Sequence, residues 1–299
     1  MSFPAPSTIG DLLKRHGLVE ARRRRRSTTP YDAPLRRAYA PHEVWCADFK
    51  GQFRLRSGKL CYPLTITDRF SRMILCCEAL ESTCTESALL VFEKTFRDHG
   101  LPQVIRTDNG VPFASKGVLG LSRLSVRWLR LGIWPERIAL AHPEQNGQHE
   151  RMHLVLKQET TRPAAGTMLA QQERFERFID EYNHARPHEA LGQVTPDTLY
   201  CKSPRQYPSE LPELTYPLDD LSVLVRNEGK IFVRGHGRAV LSAALSGEHV
   251  GLRELHDGRW RVSYADHEIG TLDATTLRFQ PSQSLFTSGA EDRPPVPPT

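Results

Sequence analysis

The chain has 299 residues, 39% of them hydrophobic and 25% charged, with a formal net charge of +5 at pH 7. No apolar stretch reaches the ~18 residues of a membrane span, and no apolar signal-peptide core opens the chain, so a cytoplasmic protein without a membrane partner is expected. The six cysteines (Cys46, Cys61, Cys76, Cys77, Cys84 and Cys201) show no CxxC spacing, which predicts reduced thiols rather than a zinc or disulfide framework.

The positive charge sits at the front. Residues 1–47 hold nine Lys or Arg against four Asp or Glu, and the remainder is neutral. Residues 1–40 read as a basic arm centred on Arg22, Arg23, Arg24, Arg25 and Arg26. Such a run is either a solvated tail or a contact for phosphates. Within the arm, residues 8–16 read as one short helix stopped by Gly17.

A larger unit is expected over 41–200. Strands are predicted at 44–51, 60–67 and 72–80, joined by a loop at 56–59 and a turn at 68–71. Pro63 predicts that the second of these strands starts late or lies at an edge. Thr83-Cys84-Thr85-Glu86 has the pattern of a capping box, and Leu89, Phe92 and Phe96 line one helical face behind it. A strand follows at 103–107, then a helix at 117–131, a strand at 133–140, and helices at about 147–161 and 168–184. The last of these has Phe175, Phe178, Ile179 and Tyr182 on its apolar face. This order implies an α/β domain, a mixed sheet flanked by helices.

Pro204, Pro208, Pro212 and Pro217 mark a linker over 201–217. Short strands at 221–225, 231–233 and 260–264, with turns at Asn227-Glu228-Gly229 and Asp257-Gly258, predict a small β-barrel over 218–280. Residues 281–299 read as a Ser/Pro-rich disordered tail.

Three carboxylates carry the chemistry. Asp48 lies inside a strand run, Asp108 ends an apolar run at a turn, and Glu150 opens a helix. An Asp within a strand costs free energy unless compensated. Two carboxylates ~4 Å apart repel by about 4 kcal/mol at an effective dielectric of 20. One of them protonates or a cation binds, and hard oxygen ligands favour Mg²⁺, with Mn²⁺ as a substitute.

The flanking residues carry a resemblance. Trp45-x-Ala47-Asp48-Phe49-Lys50-Gly51, Thr107-Asp108-Asn109-Gly110 and His142-Pro143-x-x-Asn146-Gly147-x-x-Glu150-Arg151 resemble the three active-site blocks of the DDE transposase and retroviral integrase family, nearest to insertion-sequence transposases. Tyr182-Asn183-x-x-Arg186-Pro187-His188-x-x-Leu191 and Thr195-Pro196 resemble the segment that follows that core. The resemblance covers residues 40–200. It implies a ribonuclease H-like mixed five-stranded sheet flanked by helices, and a DNA transposase that is a DDE-type polynucleotidyl transferase. Asp48, Asp108 and Glu150 would hold two Mg²⁺ ions. Water would hydrolyse a phosphodiester at an element end, and the freed 3′-hydroxyl would attack target DNA. Lys157, seven residues after Glu150 and so on the same helical face, would touch the DNA end. Residues 145–147, including Asn146 and Gly147, would form a mobile loop beside the scissile phosphate, with Arg151 adjoining. Paired DNA ends imply a homo-oligomer, at least a dimer.

The match has one departure. Relatives with the tightest spacing place about thirty-five residues between the second Asp and the Glu, whereas residues 109–149 give forty-one. Glu144 meets the shorter count, but it precedes the helix and lacks the following Arg, so Glu150 is preferred. Residues 8–18 resemble the last helix of the helix-turn-helix region that usually precedes this core. One helix cannot form that motif. The expectation is a truncated chain, a late start codon, or reliance on another polypeptide for end recognition.

Other readings compete. A catalytically inactive or truncated DNA-binding or assembly protein derived from a transposase is one. His149-Glu150-Arg151-Met152-His153 is a literal HExxH, which reads as a zinc metalloprotease motif, although no third ligand is evident. Asp68 is expected to serve a turn or strand end, His188 to pack around Pro187, and Gly235-His236-Gly237 to form a turn.

Overall fold

The computed structural model describes residues 35–115, 117–138 and 147–282, together with Leu13, Arg15 and His16. The Arg22–Arg26 run, His142, Glu144 and Asn146, the rest of the predicted 8–16 helix, and residues 283–299 lie outside the described residues. The chain divides between Pro30 and Tyr31 into two units, and all three sheets among the described residues belong to the second.

Runs rich in β-branched and aromatic residues build the first sheet. Its strands are β1 (Val44–Phe49), β2 (Phe53–Arg54), β3 (Leu60–Asp68), β4 (Ile74–Leu80), β5 (Val104–Thr107) and β6 (Trp134–Arg137). β3 lies between β1 and β4, antiparallel to both, while β1, β5 and β6 run parallel in that order. The two-residue β2 pairs with the start of β3. With β2 set aside, the mixed sheet has five strands in the order β4-β3-β1-β5-β6, as the ribonuclease H-like expectation requires.

Pro63 corrects one expectation. β3 begins at Leu60 and runs through the proline in the middle of the sheet. The Pro63 carbonyl accepts from Lys50 N at 2.9 Å, so its missing N–H also faces β1, where that strand has already ended at Phe49. No ladder bond is lost.

Helices cover both faces. α1 (Thr85–His99) and α2 (Arg123–Arg130) pack Phe92, Phe96, Leu124 and Trp128 against Trp45, Leu64, Ile66 and Ile105. α3 (Gly147–Thr160) and α4 (Met168–Asp180) pack Met152, Leu156, Phe175 and Phe178 against Cys61, Ile74 and Cys77. A π turn at Glu181–Ala185 extends α4, and Tyr182 is buried on it as expected.

Two helix starts differ from expectation. α1 is capped at Cys84, one residue after Thr83, with no side-chain cap bond. The predicted 117–131 helix begins only at Arg123, because Ser122 and Ser125 form a reciprocal capping box there. The residues before it form a turn held by the Ala114–Leu121 bridge.

The C-terminal part is β-rich. β7 (Leu221–Leu224), β10 (His249–Glu254), β11 (Arg259–Tyr264), β12 (His267–Asp273) and β13 (Phe279–Pro281) form an antiparallel sheet, and β8 (Lys230–Val233) and β9 (Gly237–Val240) form a separate ribbon. Gly235-His236-Gly237 makes the turn between the ribbon strands. Before β8, Gly229 takes φ 76°, and a Cβ there would lie 2.3 Å from the carbonyl carbon of Ser242, so the turn accepts only glycine.

The two β layers share α2. Its Leu124 and Trp128 face the first sheet, while Val126 and Leu129 join a core with Val250, Leu252, Val262 and Tyr264. The Arg130 guanidinium donates to Glu248 at 3.1 Å and to the Pro212 carbonyl at 3.0 Å. Within the predicted linker, Arg205 donates to the carbonyls of Pro102, Leu131 and Gly132.

Candidate active site

The register of the parallel pair brings two acids together. β1 and β5 align Val44 with Val104, Trp45 with Ile105 and Cys46 with Arg106. Continued two residues onward, that offset sets Asp48 beside Asp108, on strands ~4.8 Å apart. Asp108 is fixed at the strand end because Gly110 N donates to its Oδ1 at 2.9 Å, and the neighbouring Asn109 donates to the Ile138 carbonyl.

Asp48 responds electrostatically to both partners. Burial first, then the Asp108 carboxylate, and further down Glu150, push its carboxyl up to about 7, against opposition from the Phe49 N–H and Lys50. Lys50 is thus a neighbour of this site that sequence reasoning passed over, although it stands two residues beyond Asp48. Glu150 lies exposed in the first turn of α3.

Two histidines hold that turn against the sheet. Thr65 is the cross-strand neighbour of Asp48 and donates its hydroxyl to the Asp48 carbonyl at 3.1 Å. Both His149 Nε2, at 2.8 Å, and His153 Nε2, at 2.6 Å, meet the same hydroxyl oxygen. With its single proton committed to Asp48, Thr65 accepts from both rings, which assigns each the Nε2–H tautomer. Thr67 then donates to His149 Nδ1 at 2.9 Å. Burial drives the imidazoles down to about 3 for His149 and about 2 for His153, so both stay neutral. The 3.7 Å approach of His153 Nδ1 to Asp48 Oδ2 is therefore no ion pair.

This corrects the zinc reading of 149–153. The nitrogens a zinc ion would need are engaged with threonines, and Glu150 projects from another side of the helix. Sequence reasoning missed the anchoring role, though a signal existed: histidines at i and i+4 opposite threonines at i and i+2 of one strand face. Thr65→Val leaves two buried N–H groups without an acceptor. A loss of about 2 kcal/mol in folding free energy is expected by denaturant titration; an unchanged midpoint would refute the anchor.

The other predicted residues divide. Gly147 is the first residue of α3 with open space around it, and Lys157 is exposed on that helix. Arg151 is also exposed, but it borders a cavity with Met152 and Val155 rather than standing with the acids. Asp68 serves the strand end as expected, its carboxylate accepting from His42 N, Ser71 N and Ser71 Oγ. His188 packs against Tyr182 with ring centroids 4.6 Å apart. Among the described residues, no three His, Cys, Asp or Glu stand close enough to hold a metal ion as they are. The donor set nonetheless suits a hard cation: two adjacent carboxylates, one of them raised by burial and by the other, and a third, exposed carboxylate in the first turn of α3.

The site thus sets acids at the ends of adjacent parallel strands with a third carboxylate on a covering helix. Sequence comparison makes this specific. An integrase core domain model matches residues 38–143, and a second model of the same description matches 131–196. An uncharacterized 31.7 kDa protein of insertion element IS407 from Burkholderia multivorans is 28% identical over 199 residues, covering 64% of this chain and 67% of that protein. The Gag-Pol polyprotein of baboon endogenous virus is 32% identical over 127 residues, covering 42% of this chain and 7% of the polyprotein. The chain carries a catalytic core of the DDE transposase and integrase type. Among solved structures, the magnesium complex of the HTLV-2 integrase catalytic core domain superposes with TM-score 0.43 at 15% identity, over 55% of this chain and 99% of that one. A simian T-cell lymphotropic virus intasome bound to a PP2A regulatory subunit gives TM-score 0.47 at 18% identity, over 85% and 86%.

Proposed function

We propose that the chain is a DNA transposase that cleaves a phosphodiester at an element end and joins the freed 3′-hydroxyl to target DNA. The observation that carries this reading is the β1–β5 register, which continued two residues sets Asp48 beside Asp108, with burial and the Asp108 carboxylate raising the Asp48 carboxyl to about 7. Once ionised, that carboxyl is one a cation beside it would relieve.

Asp48, Asp108 and Glu150 are the residues that would hold magnesium, two ions with manganese as substitute. Bound there, the metal supplies Lewis-acid activation of the attacking oxygen and charge stabilisation of the leaving one. Water attacks phosphorus, the P–O3′ bond breaks and the 3′-hydroxyl leaves. That hydroxyl then attacks a target phosphodiester and displaces its 3′-oxygen, so the number of ester bonds is conserved. The His149 and His153 anchors fix the first turn of α3, which sets where Glu150 can reach. Lys157, seven residues on along the same face, would meet the DNA end, as would Asn146, Gly147 and the Arg22–Arg26 run. The C-terminal β-rich part, read as a small barrel, would bind DNA or a second protomer, in a dimer or larger assembly acting in the cytoplasm.

The test is nicking and strand transfer on labelled element-end oligonucleotides. Both steps are expected with Mg²⁺ or Mn²⁺ and neither with EDTA; activity that persists in EDTA would overturn the assignment. Glu150→Gln should abolish both steps, and a loss confined to Glu144→Gln would replace Glu150 as the third ligand.

A further inference from the structure

Two motifs remain outside this chemistry: Thr67-Asp68-Arg69-Phe70-Ser71 and Tyr182-Asn183-x-x-Arg186-Pro187-His188. The fold brings them to one place. Asn183 donates from Nδ2 to the Ile74 carbonyl and accepts at Oδ1 from Ile74 N, both at 2.9 Å, which pins the π turn to the start of β4. Asp68 gathers the β3–β4 turn, and Arg72 N closes it on the Asp68 carbonyl at 2.9 Å. Arg72 is thereby held at φ 65°, a left-handed conformation that a non-glycine residue adopts only when its surroundings fix it.

Between these segments and the side of α3 that carries Arg151 lies a cavity of about 550 Å³. Cys46 forms part of its floor, two residues and therefore about 7 Å along β1 from Asp48 on the same sheet face. Arg69, Arg72, Arg151 and Arg186 line it against two acids, Asp68 and Glu189. Asp68 is already occupied by its three donors, and Arg186 is held in place by Glu159 and Glu181. Arg69 Nη1 is buried there without a hydrogen-bond partner. A buried donor needs an acceptor, and a surplus of guanidinium groups around it selects an anion with several oxygens.

We propose that this cavity is a second anion site that receives a backbone phosphate of the nucleic-acid strand next to the one cleaved at Asp48. The assignment of nucleic acid as the source rests on the transposase reading; the anion site itself does not.

The experiment uses the full chain and two probes at constant ionic strength: inorganic phosphate followed by calorimetry, and a fluorescent single-stranded oligonucleotide followed by anisotropy. Wild type and Asp48→Asn should both bind phosphate saturably. Arg72→Gln, a substitution in a partly exposed turn, should weaken phosphate at least tenfold, and Arg72→Lys should recover part of it. Arg69→Gln provides a second variant with the same expected direction. For the oligonucleotide, Arg72→Gln should flatten the dependence of log K on log salt by about 0.7, one phosphate contact. Equal phosphate binding in wild type and Arg72→Gln overturns the site, as does its loss in Asp48→Asn. Phosphate loss with unchanged oligonucleotide affinity and salt slope overturns the nucleic-acid source. Failure of the transposase reading is separately visible, as wild type that binds phosphate yet cuts no DNA.

Discussion

Asp48→Asn is expected to lower metal-dependent DNA cleavage by at least about a thousandfold, roughly 4 kcal/mol of transition-state stabilisation, while making the metal-free protein more stable at pH 8. The two effects share one cause. The Asp48 carboxyl is raised to about 7 by burial and by Asp108, so the folded protein prefers it protonated. Its ordinary value is 3.8. Below pH 4 it is protonated in both folded and unfolded chains and contributes nothing. Between pH 4 and pH 7 the folded state binds the extra proton, so stability falls as pH rises. Above pH 7 the folded state carries the whole penalty, on the order of a few kcal/mol. Asn carries no charge and removes that penalty, and it also removes an oxygen ligand. Thermal denaturation in EDTA at pH 8 and pH 4 should therefore show Asp48→Asn above wild type only at pH 8. Magnesium should close the gap by raising wild type alone. Equal melting temperatures at pH 8 would mean that Asp48 is not destabilised by its neighbours, and the case for a cation there would fall with it.

That opposition between stability and function explains what the sequence could disclose. Asp48 was legible because a carboxylate in a strand run violates the usual placement of charge, and Asp108 because it ends the next parallel run. Their exact offset along the sheet came only from the register, which depends on pairing between segments sixty residues apart. The anchors were harder to see. His149 and His153 make sense only opposite Thr65 and Thr67, and nothing local to α3 distinguishes a histidine bound for a hydroxyl from one bound for zinc. Pro63 misled for a related reason: the cost of its missing N–H depends on whether the neighbouring strand still has a residue to receive it, a fact about β1. The short α2 was hidden as well. Its two apolar sides serve two different sheets, so the helix reads as a longer apolar stretch than a one-sided helix of eight residues.

Glu136→Gln is expected to cost about 3–5 kcal/mol in folding free energy, the range for breaking a buried ion pair. Arg106 and Glu136 are register neighbours on β5 and β6, with Nε and Oε2 2.6 Å apart and side chains 1% and 0% exposed. The second carboxylate oxygen accepts from Arg36 N at 2.8 Å, and the Arg106 guanidinium donates to the Arg36 carbonyl at 2.6 Å. Glutamine removes the charge and one of the two acceptors, leaving a guanidinium buried without its counter-ion. Arg106→Met combined with Glu136→Leu should cost much less than the sum of the single changes, because neither charge then remains uncompensated. Denaturant titration of the four proteins measures the coupling; additive losses would show that the two side chains act independently. The consequence reaches the acids, since Arg106 stands two residues before Asp108 on β5. If the pair serves only stability, the double variant should cleave DNA as wild type does at a temperature where both are folded. If it also sets the strand end that presents Asp108, cleavage should fall while the melting temperature recovers.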